Sequence, residues 1–520
     1  MSMHITKVFG PPGTGKTTWL LNEMQNVIAS GVDISRIAYL TFSVAAREEA
    51  KSRAVARLSH VNPDKFKYFK TIHGICFAEL DIGRSHVMQV DDYLEFAKFC
   101  GIHFSQDYVE DVDANGMPHG WATSTGNAYM NVRQLSAAMM LEAESPEFTE
   151  GNWPLDLSLD NYRYVMKKYV EYKESKIKFD FVDMLQIFLR TGTSLPVSHI
   201  FVDEAQDLSE LQWALLRLFC KSAQRLYLAG DDDQAIYSFI GASQYGFLDH
   251  RADDTIVLDK SYRLRDNVWK FANNIIQKVG RRQDKIISTR GAGGAVNWWG
   301  MPAVDLIDHI KMEDVLIISP TNLQLSIIQS RLEERGISYS HKSRGGSDYS
   351  ITETFYWYHR SRKGGAIPID QAAKLLRVLK LEGAKALSDQ ARLTPDALVG
   401  RGQLSEYGVN WLSGRDSCSY VASKKKHTRV NQSSFDVALK ARDIDAMIEK
   451  PKVRLTTYHG SKGLEATNVV LVTDCSKPAA IYADKNPDYE RRLAYVGVTR
   501  AREQVHISQP QTNDYMRAYR

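Results

Sequence analysis

The sequence predicts an α/β fold made of two parallel-sheet units, each interrupted by a mainly helical insertion. Three observations carry that expectation. Short apolar runs alternate with amphipathic helical stretches in the first and last parts of the 520-residue chain, the pattern of strand–helix–strand units on a parallel sheet. The run Gly10-Pro11-Pro12-Gly13-Thr14-Gly15-Lys16-Thr17 joins the first apolar stretch to the first helix. Two intervening segments, near 81–176 and 341–450, lose the strand pattern. A chain of this length exceeds one hydrophobic core, and three or four domains are expected.

Taken in order, His4–Phe9 reads as a strand and Thr18–Gln25 as a helix carrying Trp19, Leu20, Leu21 and Met24. Arg36–Phe42 is a second strand, followed by an Ala- and Glu-rich helix over Val44–Leu58. From Leu80 to Lys176 the chain reads as helical and aromatic, with turns near Asp113–Gly120 and Ser145–Pro154. Val197–Val202 and Arg225–Ala229 return to buried-strand character. Thr255–Leu258 and Asp314–Ser319 read as strands of a second α/β unit. Order fades again around Arg344–Gly346, Arg362–Gly365 and Ser423–Arg429, which flank a helix near Gln371–Leu381. Val453–Thr457, Val469–Val472 and Val505–Ile507 restore the sheet pattern.

The spacing G-x-x-x-x-G-K-T at Gly10–Thr17 is that of a phosphate-binding loop. Its glycines let successive backbone N–H groups turn inward around an anion, and the following helix adds its positive dipole end. Lys16 supplies a full charge to the β- and γ-phosphates, and the Thr17 hydroxyl suits Mg²⁺. Pro11, Pro12, Thr14 and Thr18 complete the nucleotide-contacting run. Val202-Asp203-Glu204-Ala205-Gln206-Asp207 ends a strand as a Walker B motif does. Asp203 is placed to hold Mg²⁺ and Glu204 to orient or deprotonate an attacking water. An acidic helix N-terminus is the plainer alternative for this pair.

Composition bounds the rest. With 43% hydrophobic and 25% charged residues the chain is an ordinary globular one, and no run of eighteen apolar residues offers a membrane span. Five cysteines lie far apart with no C-x-x-C pair, which argues against a zinc site or a disulfide framework and for a reducing, cytoplasmic setting. A net charge of +4 leaves nucleic-acid binding to local patches. Among these, Lys424–Lys426 reads either as a solvated loop or as a duplex contact.

Further stretches resemble the motifs of superfamily 1A helicases of the UvrD/Rep/PcrA type, in family order from Gly10 to Ala501. Leu228–Tyr237 is similar to motif III and Leu493–Ala501 to motif VI; Leu40–Ser43 with Ala45 and Ala46 resembles motif Ia. Thr71–Gly74 resembles motif Ib, Ser261–Arg263 motif IV, and Thr457–Glu465 motif V; Phe179–Leu185 is similar to the acidic segment ahead of motif II. The resemblance implies RecA-like cores at 1–80 with 177–253 and at 254–340 with 451–520, and insertions at 81–176 and 341–450. It also implies ATP and Mg²⁺ as cofactors, and a nucleotide bound between the cores. Gln234 would meet the γ-phosphate or the attacking water. Arg263 and Arg500 would reach it from the second core as arginine fingers, their plain alternative being surface ion pairs. Glu465 would meet the ribose and Tyr262 would stack on the base.

Single-stranded DNA would cross both cores, with Thr41, Phe42, Thr71, His73, Tyr237, Phe239 and His459 along its path. Phe239 stands where tryptophan is common in the family, and for Tyr237 core packing is an equal alternative. The implied activity is a DNA-dependent ATPase and helicase moving 3′ to 5′, acting on single strands and single/double-strand junctions, with replication or repair proteins as further partners. A protein-stripping translocase and a nucleotide-driven DNA clamp are the alternatives, and no residue excludes RNA. Only nine residues precede Gly10, too few for the adenine-reading helix usual in the family. Stacking alone then predicts relaxed base selectivity, with GTP or CTP used within about tenfold of ATP. The short stretch after Arg500 argues against a fused nuclease.

Overall fold

A computed structural model describes residues 3–57, 65–104, 125–154, 157–335, 337, 339–341, 357–379, 381–394, 397–409 and 452–519. The turn expected at Asp113–Gly120, the glycine pair at Gly345–Gly346, Cys418 and the Lys424–Lys426 run lie outside these residues. The chain divides into two compact units, Met1–Gly293 with Asp488–Tyr495, and Gly294–Pro487 with Val496–Arg520.

The first unit is built on β1 (His4–Phe9), β2 (Ile37–Thr41), β3 (Tyr68–Thr71), β4 (His199–Val202), β5 (Arg225–Gly230) and β6 (Asp254–Val257). They form one sheet in the order β3-β2-β4-β5-β1-β6, and every neighbouring pair is parallel. Every residue of β2 and β4 is buried, because helices cover both faces of the sheet. One face packs on Ile72, Ile75, Leu185, Phe188, Leu215 and Leu216 of three helices. The other packs on Leu20, Leu21, Met24, Ala50 and Ala54, from the helices Lys16–Ala29 and Val44–Arg57.

The strand at Thr255–Leu258, expected to open the second α/β unit, instead extends this first sheet. Thr6 to Phe9 of β1 pair in parallel with Asp254 to Val257 of β6. A short apolar run carries no mark of which sheet it joins, and here an open edge of β1 takes it. Two further four-residue strands, β3 and β7 (Ala295–Trp298), are not among those expected from the sequence.

Between β3 and β4 the helices Val90–Cys100, Thr125–Met139, Pro146–Asn152 and Leu159–Lys176 enclose their own core of Phe96, Met130, Phe148, Tyr162 and Tyr169. The acidic segment after them caps the helix Phe181–Thr191. Asp180 accepts from the Asp183 amide at 2.8 Å, and Asp183 accepts from the Asp180 amide at 2.9 Å, a reciprocal capping box. Two cations from the insertion sit on these carboxylates. Lys173 Nζ lies 3.0 Å from Asp180 and 2.5 Å from Asp183, and Arg133 lies 3.1 and 2.6 Å from the same pair.

The second unit carries β7 (Ala295–Trp298), β8 (Val315–Ser319), β9 (Tyr339–His341), β12 (Val453–Thr457), β13 (Ala466–Leu471) and β14 (Ala501–Ile507). Their order is β7-β14-β13-β8-β12-β9, again wholly parallel. A smaller group holds the antiparallel pair β10 (Ile367–Pro368) and β11 (Leu398–Val399) with the helices Ile369–Val378, Ala384–Leu393 and Arg401–Glu406. Ile369, Leu375, Leu376, Leu387 and Leu404 form its separate core. Each sheet thus has a mainly helical companion, as the sequence predicts.

Asp488–Tyr495 belongs to the first unit although it lies late in the chain. Arg491 donates to the Lys278 carbonyl at 2.9 Å, Asp488 accepts from the Gly280 amide at 3.1 Å, and Arg492 donates to the Asp232 carbonyl at 3.1 Å. Among the described residues no helix is long and apolar enough to cross a membrane, and Cys76, Cys100, Cys220 and Cys475 are free thiols.

Lys173 is buried between two carboxylates, and removing one partner of such a group strands the others. Lys173→Met is expected to lower unfolding stability by about 3 kcal/mol, read as a lower urea midpoint.

Candidate nucleotide site

Parallel pairing brings the carboxyl ends of β4, β5 and β1 side by side, the edge where α/β sheets bind ligands. The loop leaves β1 with the Gly10 amide donating to the Gly230 carbonyl at 2.9 Å and the Thr14 hydroxyl donating to the Pro11 carbonyl at 2.7 Å. A Cβ on Gly10 would fall 2.1 Å from Lys16 Cγ, so the lysine stem occupies the space a side chain would need. Gly13 and Gly15 have φ of 75° and 83°, the left-handed region that glycine enters freely. Lys16 Nζ donates to the Gly10 carbonyl at 2.9 Å and lies 3.8 Å from Glu204.

Asp203 closes the site from β4. Its Oδ2 accepts from the Thr17 hydroxyl at 2.6 Å and from the Tyr39 hydroxyl at 3.2 Å. Burial first, and the neighbouring Glu204 charge second, push the Asp203 carboxyl above its ordinary range. Tyr39 is raised too, by burial first and the Asp203 charge second. Glu204 turns out of the strand with φ 55° and ψ 43°, a strained left-handed conformation for a non-glycine residue. Thr17 and Asp203 are adjacent hard-oxygen donors, the chemistry that fits Mg²⁺.

Gln234 ends the short turn after β5, its amide donating to Asp231 Oδ2 at 2.8 Å. Gln206, to which the sequence reading gave no role, links the two acidic segments. It donates to Glu204 at 2.6 Å and accepts from the Asp231 amide at 3.0 Å. Its only sequence signal is its place inside the Asp203–Asp207 motif.

Arg263, expected to approach from the second core, lies instead in the first unit. Its segment continues from β6, and the Ser261 hydroxyl donates to the Pro12 carbonyl at 2.7 Å while the Tyr262 amide donates to the Gly13 carbonyl at 2.9 Å. A Cβ on Gly13 would fall 2.5 Å from Arg263 Cβ. Tyr262 is 66% exposed, with the Lys260 ammonium 5.3 Å from its ring centroid.

The expected nucleic-acid positions divide by burial. Phe42 and Tyr237 are half-buried and stack at 5.2 Å between centroids with 22° between planes, and Phe239 lies 6.5 Å from Tyr237. Thr41, Thr71 and His73 are inside the fold. The Thr71 hydroxyl caps a helix by accepting from the Gly74 amide at 3.1 Å, and His73 meets the Phe181 ring edge-on at 5.9 Å. In the second unit, Glu465 pairs with Arg502, and His459 is half-buried at the turn after β12. Arg500 is buried, donating to the Val496 carbonyl at 2.9 Å and the Leu464 carbonyl at 3.4 Å.

A phosphate-type loop on β1, with an acid-terminated strand one place removed across β5, puts the chain among the P-loop NTPases. A sequence profile of the UvrD/REP helicase N-terminal domain matches residues 3–254, and one of the UvrD-like helicase C-terminal domain matches residues 417–512. The chain belongs to the UvrD/Rep helicase family. It is 22% identical to the ATP-dependent DNA helicase Rep of Buchnera aphidicola, over 95% of this chain and 88% of that protein. It is 25% identical to the ATP-dependent DNA helicase UvrD2 of Mycobacterium bovis, over 96% and 75%, and 22% identical to PcrA of Bacillus subtilis, over 65% and 60%.

Gly13 has both a left-handed φ and a close neighbour in Arg263. Gly13→Ala is expected to weaken binding of a fluorescent ATP analogue by about tenfold or more, an effect above ~1.4 kcal/mol, measured where the variant is folded, and to lower the thermal midpoint because a Cβ at this φ strains the folded chain.

Proposed function

We propose that the chain is a DNA-dependent ATPase that moves on single-stranded DNA, 3′ to 5′, and separates duplex strands at single/double-strand junctions. The observation that supports this most is the continuity of one short segment. Asp231–Phe239 leaves β5, the strand paired with β1 ahead of the phosphate loop, and carries Gln234 on Asp231 and, three residues later, Tyr237 stacked on Phe42. A base on the ring pair and a phosphate at Gln234 would act on the same turn of backbone. Base–aromatic stacking is sequence-tolerant and contributes about 1–3 kcal/mol per base, which suits a motor that must accept any strand.

In this reading Lys16 leaves the Gly10 carbonyl for the β- and γ-phosphates, and the loop amides and helix N-terminus share the remaining charge. Thr17 and Asp203 would hold Mg²⁺, which when bound would supply neutralisation of the developing phosphate charge. Glu204 accepts the proton of the attacking water, aimed by its left-handed turn and by Gln206. Gln234 orients that water or the γ-phosphate. Arg263, fixed beside Gly13, neutralises charge as bonds change. Tyr262 offers the base a stacking face. The polarity and the roles of Glu465, His459 and Arg500 rest on the family resemblance.

Hydrolysis of ATP measured with and without single-stranded DNA is the direct test, and strong stimulation is expected; equal rates would remove the motor reading. Glu204→Gln should retain ATP binding and lose turnover, since the amide keeps the shape but not the basicity. Arg263→Ala should reduce kcat by roughly 10³-fold while leaving nucleotide-free DNA affinity unchanged, and Arg500→Ala is expected to do the same. Loss of less than about tenfold in either arginine variant would take that arginine out of the reaction.

A further inference from the structure

Behind Gln234 lie three consecutive carboxylates, Asp231, Asp232 and Asp233, exposed by only 0, 2 and 0%. Their oxygens approach closely enough to hold a metal ion, but a side chain already takes that place. Lys285 Nζ lies 2.8 Å from Asp231, 2.5 Å from Asp232 and 2.9 Å from Asp233. Arg282 adds a two-pronged contact to Asp233 at 2.9 and 2.7 Å, and the Gln283 amide donates to Asp232 at 2.8 Å.

Asp231 is the branch point of this cluster. Its Oδ1 takes the lysine, its Oδ2 takes the Gln234 amide, and its backbone amide reaches Gln206 and through it Glu204. Beyond Lys285 the same segment braces the arginine-bearing loop. Ser288 donates to the Asp259 carbonyl at 2.7 Å and accepts from the Ser261 amide at 2.9 Å, and the Arg290 amide donates to the Leu264 carbonyl at 2.8 Å.

We propose that Lys285 is a positioning residue for nucleotide hydrolysis: by fixing Asp231 it sets the orientation of Gln234. The inference rests on the reading that Gln234 faces the γ-phosphate or the attacking water. Lys285 itself touches no nucleotide. Its action is confined to the transition state, where the placement of Gln234 counts, and nucleotide and DNA affinity are independent of it.

The test is steady-state ATP hydrolysis on single-stranded DNA by the full chain, for Lys285→Met and for the charge-balanced pair Lys285→Met with Asp232→Asn. The pair removes one charge of each sign, so it carries the test if the single variant fails to fold. Both should lose about tenfold or more in kcat, with KM for ATP and affinity for DNA within about twofold of the parent. On a Gln234→Ala background, Lys285→Met should slow turnover by less than about twofold further, because its effect passes through Gln234. Parent-like kcat in the charge-balanced pair overturns the inference, as does an equal loss with and without Gln234. A parent chain with no DNA-stimulated hydrolysis overturns the functional reading itself, which a fast parent with fast Lys285 variants does not.

Discussion

Negative charge crowded onto one edge of a sheet is the constraint around which the first unit is arranged. Asp203 and Glu204 end β4, and Asp231, Asp232 and Asp233 follow β5 on the neighbouring strand. Carboxylates removed from water in this number repel one another and lose hydration worth several kcal/mol each unless cations and donors replace it. The compensation is uneven. The Asp231–Asp233 side has Lys285 and Arg282 in direct contact, and although burial works the other way, Lys285 and then Lys16 hold the Asp231 carboxyl below its ordinary range. Burial opposes the Lys285 charge too, yet the three aspartates keep it protonated above the usual lysine range. Asp203 is held by neutral donors, the Thr17 and Tyr39 hydroxyls and the Glu204 amide, with Lys16 nearest to Glu204. The permanently paired half is scaffold, and the half short of positive charge is the one whose oxygens suit Mg²⁺.

Backbone geometry at the same edge gives these charges their aim. Glu204 is held in a left-handed turn that costs about 1–3 kcal/mol for a side-chain-bearing residue. Without it the chain would continue along β4 and carry the carboxylate away from Lys16. The strain is sustained by its surroundings: Asp203 accepts from the Glu204 amide at 3.0 Å and Gln206 donates to the Glu204 carboxylate at 2.6 Å. Gly10 and Gly13 act in the complementary way, leaving room where Lys16 and Arg263 approach.

The loop, the acidic strand end and the two parallel sheets were legible in the sequence because each is written in local spacing or in apolar periodicity. Lys285 and Arg282 were not. They belong to a short basic stretch, Arg281 to Lys285, in a loop with no periodicity, and they acquire meaning only when the turn after β5 folds against them. Thr255–Leu258 was readable as a strand but not as a neighbour of β1, since pairing partners are set by the crossover and not by the strand. Arg263 was placed with the second core by the family resemblance, whereas its segment extends from β6 in the first unit. The motif spacing located Thr71 and His73 without showing that the hydroxyl is spent on a helix cap and the ring on Phe181. Burial is a property of the tertiary neighbourhood, and spacing alone does not report it.

The return of Asp488–Tyr495 to the first unit has a consequence for how the chain is made. The carbonyl of Asp232 waits for Arg492, 260 residues further along. At ribosomal rates of about 5–20 residues per second, roughly 13–50 seconds separate the synthesis of the two. During that interval the early part of the chain can assemble its sheet, but the turn that carries Gln234 lacks one of its braces. A nascent chain released early, or cleaved ahead of Asp488, would therefore hold a phosphate loop without the completed turn beside it. The late segment works as a completion check, joining a stretch made well after the sheet to the unit that holds that sheet.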